Sequence, residues 1–174
     1  MFNSIVVATD GSNHANRALE ISAELASRDE APLHIIYVVD SDISGLPSGL
    51  FDMAKTEHLV DPKPRFFTDF RGTHADALKA VQDASTESLR LVTQLAEHIV
   101  EEAERNARIA GVKEVTTSIE NGKPSDKILA FAIQNNADVI ITGRRGQSTL
   151  KSAIMGSTSM KVAQDADCTC ITVK

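Results

Sequence analysis

The chain has 174 residues, of which 42% are hydrophobic and 24% are charged, and its formal net charge is -6. These proportions are typical of one globular domain and exclude a wholly disordered chain. An acidic chain with only 4% aromatic residues is a poor candidate for nucleic-acid binding, and its apolar runs are shorter than the roughly 18 residues that a membrane span needs.

Five short apolar runs, rich in β-branched residues, alternate with longer stretches of helical periodicity. The pattern predicts strands at residues 4–9, 33–39, 112–120, 138–142 and 169–173. It predicts helices after the first strand, over about residues 85–110, from Pro124 onward and from Gly156 onward. Because parallel strands require crossover connections, this alternation predicts an α/β fold, with a doubly wound five-stranded parallel sheet in a three-layer sandwich.

The alternation is interrupted after the second predicted strand. The stretch at about 41–84 contains three prolines, three glycines and four of the six phenylalanines. An irregular stretch of this length is unusual inside a compact domain, so we predict a single domain over residues 1–174 that carries an irregular insertion at about 41–84. Residues from about Ala75 to Val81 also have a composition that could begin the following helix early.

The segment after the fourth predicted strand has the composition of a phosphate-binding site. It contains the pattern Gly143-x2-Gly146-x9-Gly156-Ser157, and between Gly143 and Gln164 it has four basic and no acidic residues. Glycines allow a ligand to approach the backbone, and a helix N-terminus with hydroxyl side chains favours an anion. The pattern is neither a P-loop nor a dinucleotide-binding fingerprint. The four basic residues are Arg144, Arg145, Lys151 and Lys161.

This glycine pattern resembles the ATP-binding signature of the universal stress protein family. Residues 5–12, 34–40, 122–124 and 138–143 resemble the family's opening strand and turn, its second strand, its Gly-x-Pro turn and its fourth strand. The resemblance implies an ATP-binding stress-response or regulatory protein with strand order 3-2-1-4-5. It also implies ATP at the carboxyl ends of the strands and a homodimer paired through Thr169–Val173.

The resemblance further implies where the nucleotide would lie on this chain. The adenine and ribose would lie near Ala8, Thr9 and Asp10, and the base would touch Val38. The ribose and phosphates would be approached by Gly143, Arg145 and Gly146, and the phosphates would be held by Gly156, Ser157, Thr158 and Ser159. Asp10 could in addition hold a magnesium or manganese ion bridging the phosphates, although a turn residue that caps the first helix has the same sequence appearance.

No catalytic residue is predicted, because neither a general base nor a Gly-x-Ser-x-Gly motif is evident. We therefore expect slow or no hydrolysis, at most a weak ATPase. Two alternatives stay open at this point. One is a nucleotide-free dimeric interaction module that acts through the 41–84 insertion. The other is an ATP-dependent enzyme on a related fold, such as a ligase, which usually carries Ser-Gly-Gly-x-Asp-Ser where this chain has Thr9-Asp10-Gly11-Ser12.

Cys168 and Cys170 are the two cysteines of the chain. They are too few for a disulfide framework, which indicates a reducing compartment. The N-terminus has neither a basic region nor a cleavage site, so we expect a cytoplasmic protein. The histidines show no metal-ligand spacing, and we therefore expect the two thiols to be buried or to lie in a dimer interface.

Overall fold

The computed structural model of the protein describes residues 1–40, 74–146 and 155–174, and in the second helix it describes side chains from Val92 onward. Strands and helices alternate along these ranges. They are β1 (Ile5–Ala8), α1 (Asn13–Asp29), β2 (Leu33–Val39), α2 (His74–Ile109), β3 (Val115–Asn121), α3 (Pro124–Gln134), β4 (Val139–Gly143), α4 (Ser157–Asp165) and β5 (Thr169–Val173).

The strands form one parallel sheet in the order β3-β2-β1-β4-β5. Ile5 at the start of β1 pairs with Leu33 of β2 on one side and with Val139 of β4 on the other. The predicted doubly wound sheet and its strand order 3-2-1-4-5 are therefore confirmed. Since β1 lies between β2 and β4, the loops that leave the carboxyl ends of β1 and β4 are neighbours at the point where the strand order reverses.

Helices cover both faces of the sheet, because neighbouring residues of a strand point to opposite sides. Ile5 and Val7 pack in a core cluster with α1 and α2, whereas Val6 packs with Ile128 of α3 and Val162 of α4. Among the described helices, none has an apolar stretch that is long enough to cross a lipid bilayer.

The second helix begins earlier than the main prediction. It starts at His74 rather than near residue 85, so the part of the predicted 41–84 insertion from 74 onward is helical, not irregular. The apolar spacing of Leu78 and Val81, with no glycine or proline before Ile109, explains this early start. The rest of the predicted 41–84 insertion, residues 41–73, lies outside the described residues, as does Lys151.

Candidate functional site

The carboxyl edge of the sheet brings together the turn after β1, the loop after β4 and the first turn of α4. The Ser12 hydroxyl donates to the Arg145 carbonyl at 3.4 Å, which joins the β1 turn to the β4 loop. The Gly156 amide donates to the Arg144 carbonyl at 2.8 Å, which joins the start of α4 to the same loop. Residues that are more than a hundred positions apart in the sequence therefore share one site.

Hydrogen bonds within the turn after β1 fix the position of Asp10. The Thr9 hydroxyl accepts from the Gly11 amide at 3.2 Å, and Oδ1 of Asp10 accepts from the Ser12 amide at 3.0 Å. Gly11 has a φ of 76°, which is costly for other residues. Ser12 then caps α1 by accepting from the Ala15 amide at 3.3 Å. Asp10 thus accepts a hydrogen bond within the turn, but the cap of the first helix, which was its structural alternative, is Ser12.

Glycine is needed at positions 143 and 146 for two different reasons. A Cβ atom on Gly143 would lie 2.8 Å from the backbone nitrogen of Ala15 and 2.8 Å from the carbonyl carbon of His14. A Cβ atom on Gly146 would overlap the Oδ2 atom of Asp10. Gly143 therefore lets α1 pack against the end of β4, whereas Gly146 makes room for the Asp10 carboxylate at the site.

The predicted phosphate-binding residues at the start of α4 differ in their surroundings. Ser157 is exposed and Thr158 is half-buried, so both can face a ligand. The Ser159 hydroxyl is buried and lies 3.1 Å from the Arg144 carbonyl and 3.0 Å from the Gly156 carbonyl. The Gly156 amide is bonded to the same Arg144 carbonyl. In this arrangement Gly156 and Ser159 hold the loop, and their contact with a phosphate stays a prediction.

Arg144 is a candidate that the sequence-based assignment of site residues did not include. Its backbone amide donates to the Val173 carbonyl at 2.6 Å, which anchors the loop to β5. Its Nε is buried and has no hydrogen-bond partner in the part of the chain that the structure describes. A buried guanidinium donor without an acceptor is costly, so this position favours an incoming anion. The neighbouring Arg145 was the more obvious candidate because it aligns with the family signature.

The two predicted contacts with the base lie on one face of the sheet. Ala8 pairs with Ile36, and Val38 follows two residues later, so the side chains of Ala8 and Val38 point to the same side. Both are partly buried against the cluster that includes α3 and α4. Tyr37 points to the opposite face, where burial and then the negative charge of Asp10 raise its pKa to about 12. The Tyr37 hydroxyl is therefore protonated at neutral pH.

A metal site built only from protein side chains is not formed within the described ranges. In residues 1–40, 74–146 and 155–174 there is no group of three or more His, Cys, Asp or Glu side chains that could hold an ion. Cys168 and Cys170 are free, partly exposed thiols, and burial raises the pKa of each.

Comparison with known proteins assigns the chain to a family. The family model described as "Universal stress protein family" matches residues 1–174. The chain belongs to the universal stress protein family. Among its relatives, Universal stress protein YxiE of Bacillus subtilis is 29% identical over 174 residues, which cover 100% of each chain.

Solved structures of universal stress proteins have the same fold. A universal stress protein in complex with cAMP matches with a TM-score of 0.59 and 19% identity, covering 99% of this chain and 96% of that chain. The universal stress protein from Archaeoglobus fulgidus in complex with dAMP matches with a TM-score of 0.56 and 20% identity, covering 99% and 98%. Structural similarity at these sequence identities shows the fold. The ligand of this chain has to be inferred from its own residues.

Proposed function

We propose that the protein binds an adenine nucleotide, specifically ATP, at the carboxyl ends of β1 and β4. It acts as a regulatory stress-response protein in the cytoplasm that hydrolyses the nucleotide slowly or not at all. The observation that carries this proposal is the meeting of Asp10 and Gly146 beside the glycine-lined start of α4. Two structural neighbours hold cAMP and dAMP, which supports an adenine nucleotide as the ligand class.

The chemistry of the surrounding groups fits the parts of such a ligand. Ala8 and Val38 provide a partly buried apolar surface for the base. The ribose and phosphates follow across Thr9, Asp10 and the backbone of Gly143 and Gly146. A polyphosphate then reaches α4, where the backbone amides and dipole of the first turn favour negative charge.

Hydroxyl and guanidinium groups complete the phosphate end of the proposed site. Ser157 and Thr158 are accessible hydroxyl donors in the first turn of α4. Arg144 and Arg145, each with a buried Nε, add positive charge in the neighbouring loop. A triphosphate uses more of these donors than a monophosphate does, which is our reason for proposing ATP.

Asp10 would hold the magnesium or manganese ion that accompanies the phosphates. Its Oδ1 accepts the Ser12 amide, and its Oδ2 lies beside Gly146 on the side of the β4 loop, so Oδ2 is the oxygen that we assign to the ion. The ion would neutralise part of the phosphate charge.

The proposed assembly is a homodimer that pairs through β5. This strand, Thr169–Val173, is at one edge of the sheet, where β4 is its neighbour on one side. The other side of an edge strand offers backbone donors and acceptors that a second copy can pair with.

The proposed function is tested on protein purified in its native state. Nucleotide is extracted and identified by mass spectrometry, and ATP, ADP and AMP are titrated into the stripped protein by calorimetry with and without magnesium. We expect saturable ATP binding that is tighter than AMP binding. Absence of binding by any of the three would refute the proposal in favour of a nucleotide-free interaction module, whereas multiple-turnover chemistry with a second substrate would favour an enzyme.

Two variants of α4 connect the binding to the proposed phosphate site. The double variant Ser157→Ala/Thr158→Ala removes both accessible hydroxyls, and we expect ATP affinity to fall by about tenfold, or about 1.4 kcal/mol. Gln164→Ala, at the exposed far end of the same helix, is the matched control and should bind ATP as the parent does. Equal binding by all three proteins would place the phosphates elsewhere.

A further inference from the structure

A cleft of about 720 Å³ lies between α1 and α2, on the face of the sheet opposite α3 and α4. Small-molecule sites in proteins typically have volumes of about 300–1,000 Å³. The cleft meets the candidate nucleotide site at the turn formed by Gly11 and Ser12, and from there it follows the two helices away from that site. It is therefore a second place where a small molecule could bind.

The floor of the cleft is apolar. It is formed by side chains that are almost fully buried, among them Leu19 of α1 and Leu95 and Ile99 of α2. Small residues, including Ala103 and Ala107, lie where α2 faces α1. Because both alanines line the cleft, a larger side chain at either position would extend into it.

The rim of the cleft is acidic. Glu20 on α1 and Glu102 on α2 are both exposed and line it, so each helix contributes one carboxylate. The other polar lining side chains in the described ranges are the Ser12 hydroxyl, three amides and one imidazole, with neither lysine nor arginine among them. The guanidinium of Arg105, which is not among the lining residues, is 3.8 Å from the Glu102 carboxylate.

We propose that this cleft binds an organic cation with an aliphatic body, of the aliphatic diamine or polyamine class. The methylene chain would cover the leucine and isoleucine floor, and the ammonium groups would reach Glu20 and Glu102 on opposite walls. The amide side chains of Asn13, Asn16 and Asn106 at the rim can accept the remaining ammonium protons. The net charge of -6 adds long-range attraction for a cation and opposes an anion in the same cleft.

The test is a calorimetric titration of the full-length, nucleotide-free protein with 1,8-diaminooctane. Octane-1,8-diol and octanoate are the neutral and anionic comparators of similar length. We expect saturable diamine binding, with the diol at least about tenfold weaker and octanoate without detectable binding. Because no nucleotide is present, the result does not depend on whether the protein binds ATP.

Matched charge variants show whether the diamine uses the cleft. Glu20→Gln/Glu102→Gln removes the two rim carboxylates, and we expect diamine affinity to fall by about tenfold or more. Glu24→Gln/Glu101→Gln removes the same charge from exposed positions of the same two helices outside the cleft, and should change affinity by less than about twofold. The proposal is overturned if the diamine does not bind, if the diol binds equally well, or if both double variants weaken binding equally.

Discussion

Replacing Gly143 and Gly146 by alanine, one at a time, separates the two kinds of glycine at the site. Neither residue has a positive φ, so the backbone itself accepts alanine at both positions. What differs is the neighbour that the new methyl group meets. At Gly143 the neighbours are the backbone atoms of α1, whereas at Gly146 the neighbour is the end of the Asp10 side chain.

The Gly143→Ala variant should be destabilised. Its Cβ would lie 2.8 Å from two backbone atoms of α1 and 3.0 Å from the Cβ of His14, well inside the usual carbon contact distance of about 3.5 Å. The first turn of α1 must move away from β4, and overpacking of this kind costs about 2 kcal/mol. For a chain of this length that lowers the Tm by about 4–8 °C.

The Gly146→Ala variant should lose less stability than Gly143→Ala and should lose nucleotide affinity. The Asp10 carboxylate can rotate away from the new methyl group, and the rotation breaks its hydrogen bond from the Ser12 amide, which is worth about 1 kcal/mol. The rotation displaces Oδ2 from the proposed ion, and we expect ATP affinity in magnesium to fall about tenfold, or about 1.4 kcal/mol.

Thermal unfolding and ATP calorimetry on the same preparations decide between these expectations. The two variants should rank differently in the two measurements. Gly143→Ala should have the lower Tm, whereas Gly146→Ala should lose more ATP affinity than its small loss of stability explains. If Gly146→Ala is the less stable protein, or if Gly143→Ala unfolds like the parent, the two roles derived from the neighbouring atoms are wrong.

Three further predictions follow from charges and thiols. Asp10→Asn keeps an oxygen for the Ser12 amide, so the Tm should stay within about 2 °C while the increase in ATP affinity caused by magnesium is lost; an unchanged magnesium effect would refute a metal role. The hydrogen bond from the Arg28 side chain, and then that from the Phe2 amide, lower the pKa of Asp29 to about 2 from 3.8, so its stabilising effect is present above pH 4 and is lost as the pH falls towards 2. Urea unfolding between pH 5 and 2 should therefore show a flatter pH dependence for Asp29→Asn than for the parent, and parallel curves would contradict this. Burial raises the pKa of Cys168 and Cys170, so both should react with a thiol reagent at pH 7.5 more slowly than they do in urea, and equal rates would show that the thiols are not protected.

The fold could be predicted from the sequence because local patterns agree with the tertiary structure. The apolar run Ile5–Ala8 is buried on both faces of the sheet, as an unbroken β-branched run predicts. The start of α2 was harder to predict, because Ser85 and Thr86 are typical helix N-cap residues although the helix passes through them. Two adjacent hydroxyl residues inside a long helix have the same sequence pattern as a helix start, and the sequence does not show that the helix continues through them.

For the candidate site, the sequence could predict which residues belong to it but not the role of each. Spacing places Gly143, Gly146 and Gly156 in one segment, but it does not distinguish a glycine that accommodates a helix from one that accommodates a carboxylate. Nor does it show that the Ser159 hydroxyl turns towards the Arg144 carbonyl, or that Arg144 has a buried Nε. These properties depend on which backbone passes nearby, and that is set by the packing of α1 and α4 against the ends of β1 and β4.

The charge of the glycine-rich segment shows the same dependence on packing. The sequence has four basic residues between Gly143 and Gln164, but their charges are not all directed to the same site. The Lys161 ammonium lies 3.3 Å from Asp126 of α3 and 3.9 Å from Asp165, so its charge is balanced on the α3 side of α4. Arg144 and Arg145 are at the end of β4, beside the positive end of the α4 dipole. The proposed attraction for phosphate therefore rests on the two arginines after β4 and on one helix terminus, which the hydrogen bond from the Gly156 amide to the Arg144 carbonyl brings together. Such a small positive region favours a compact anion over an extended polyanion such as a nucleic acid.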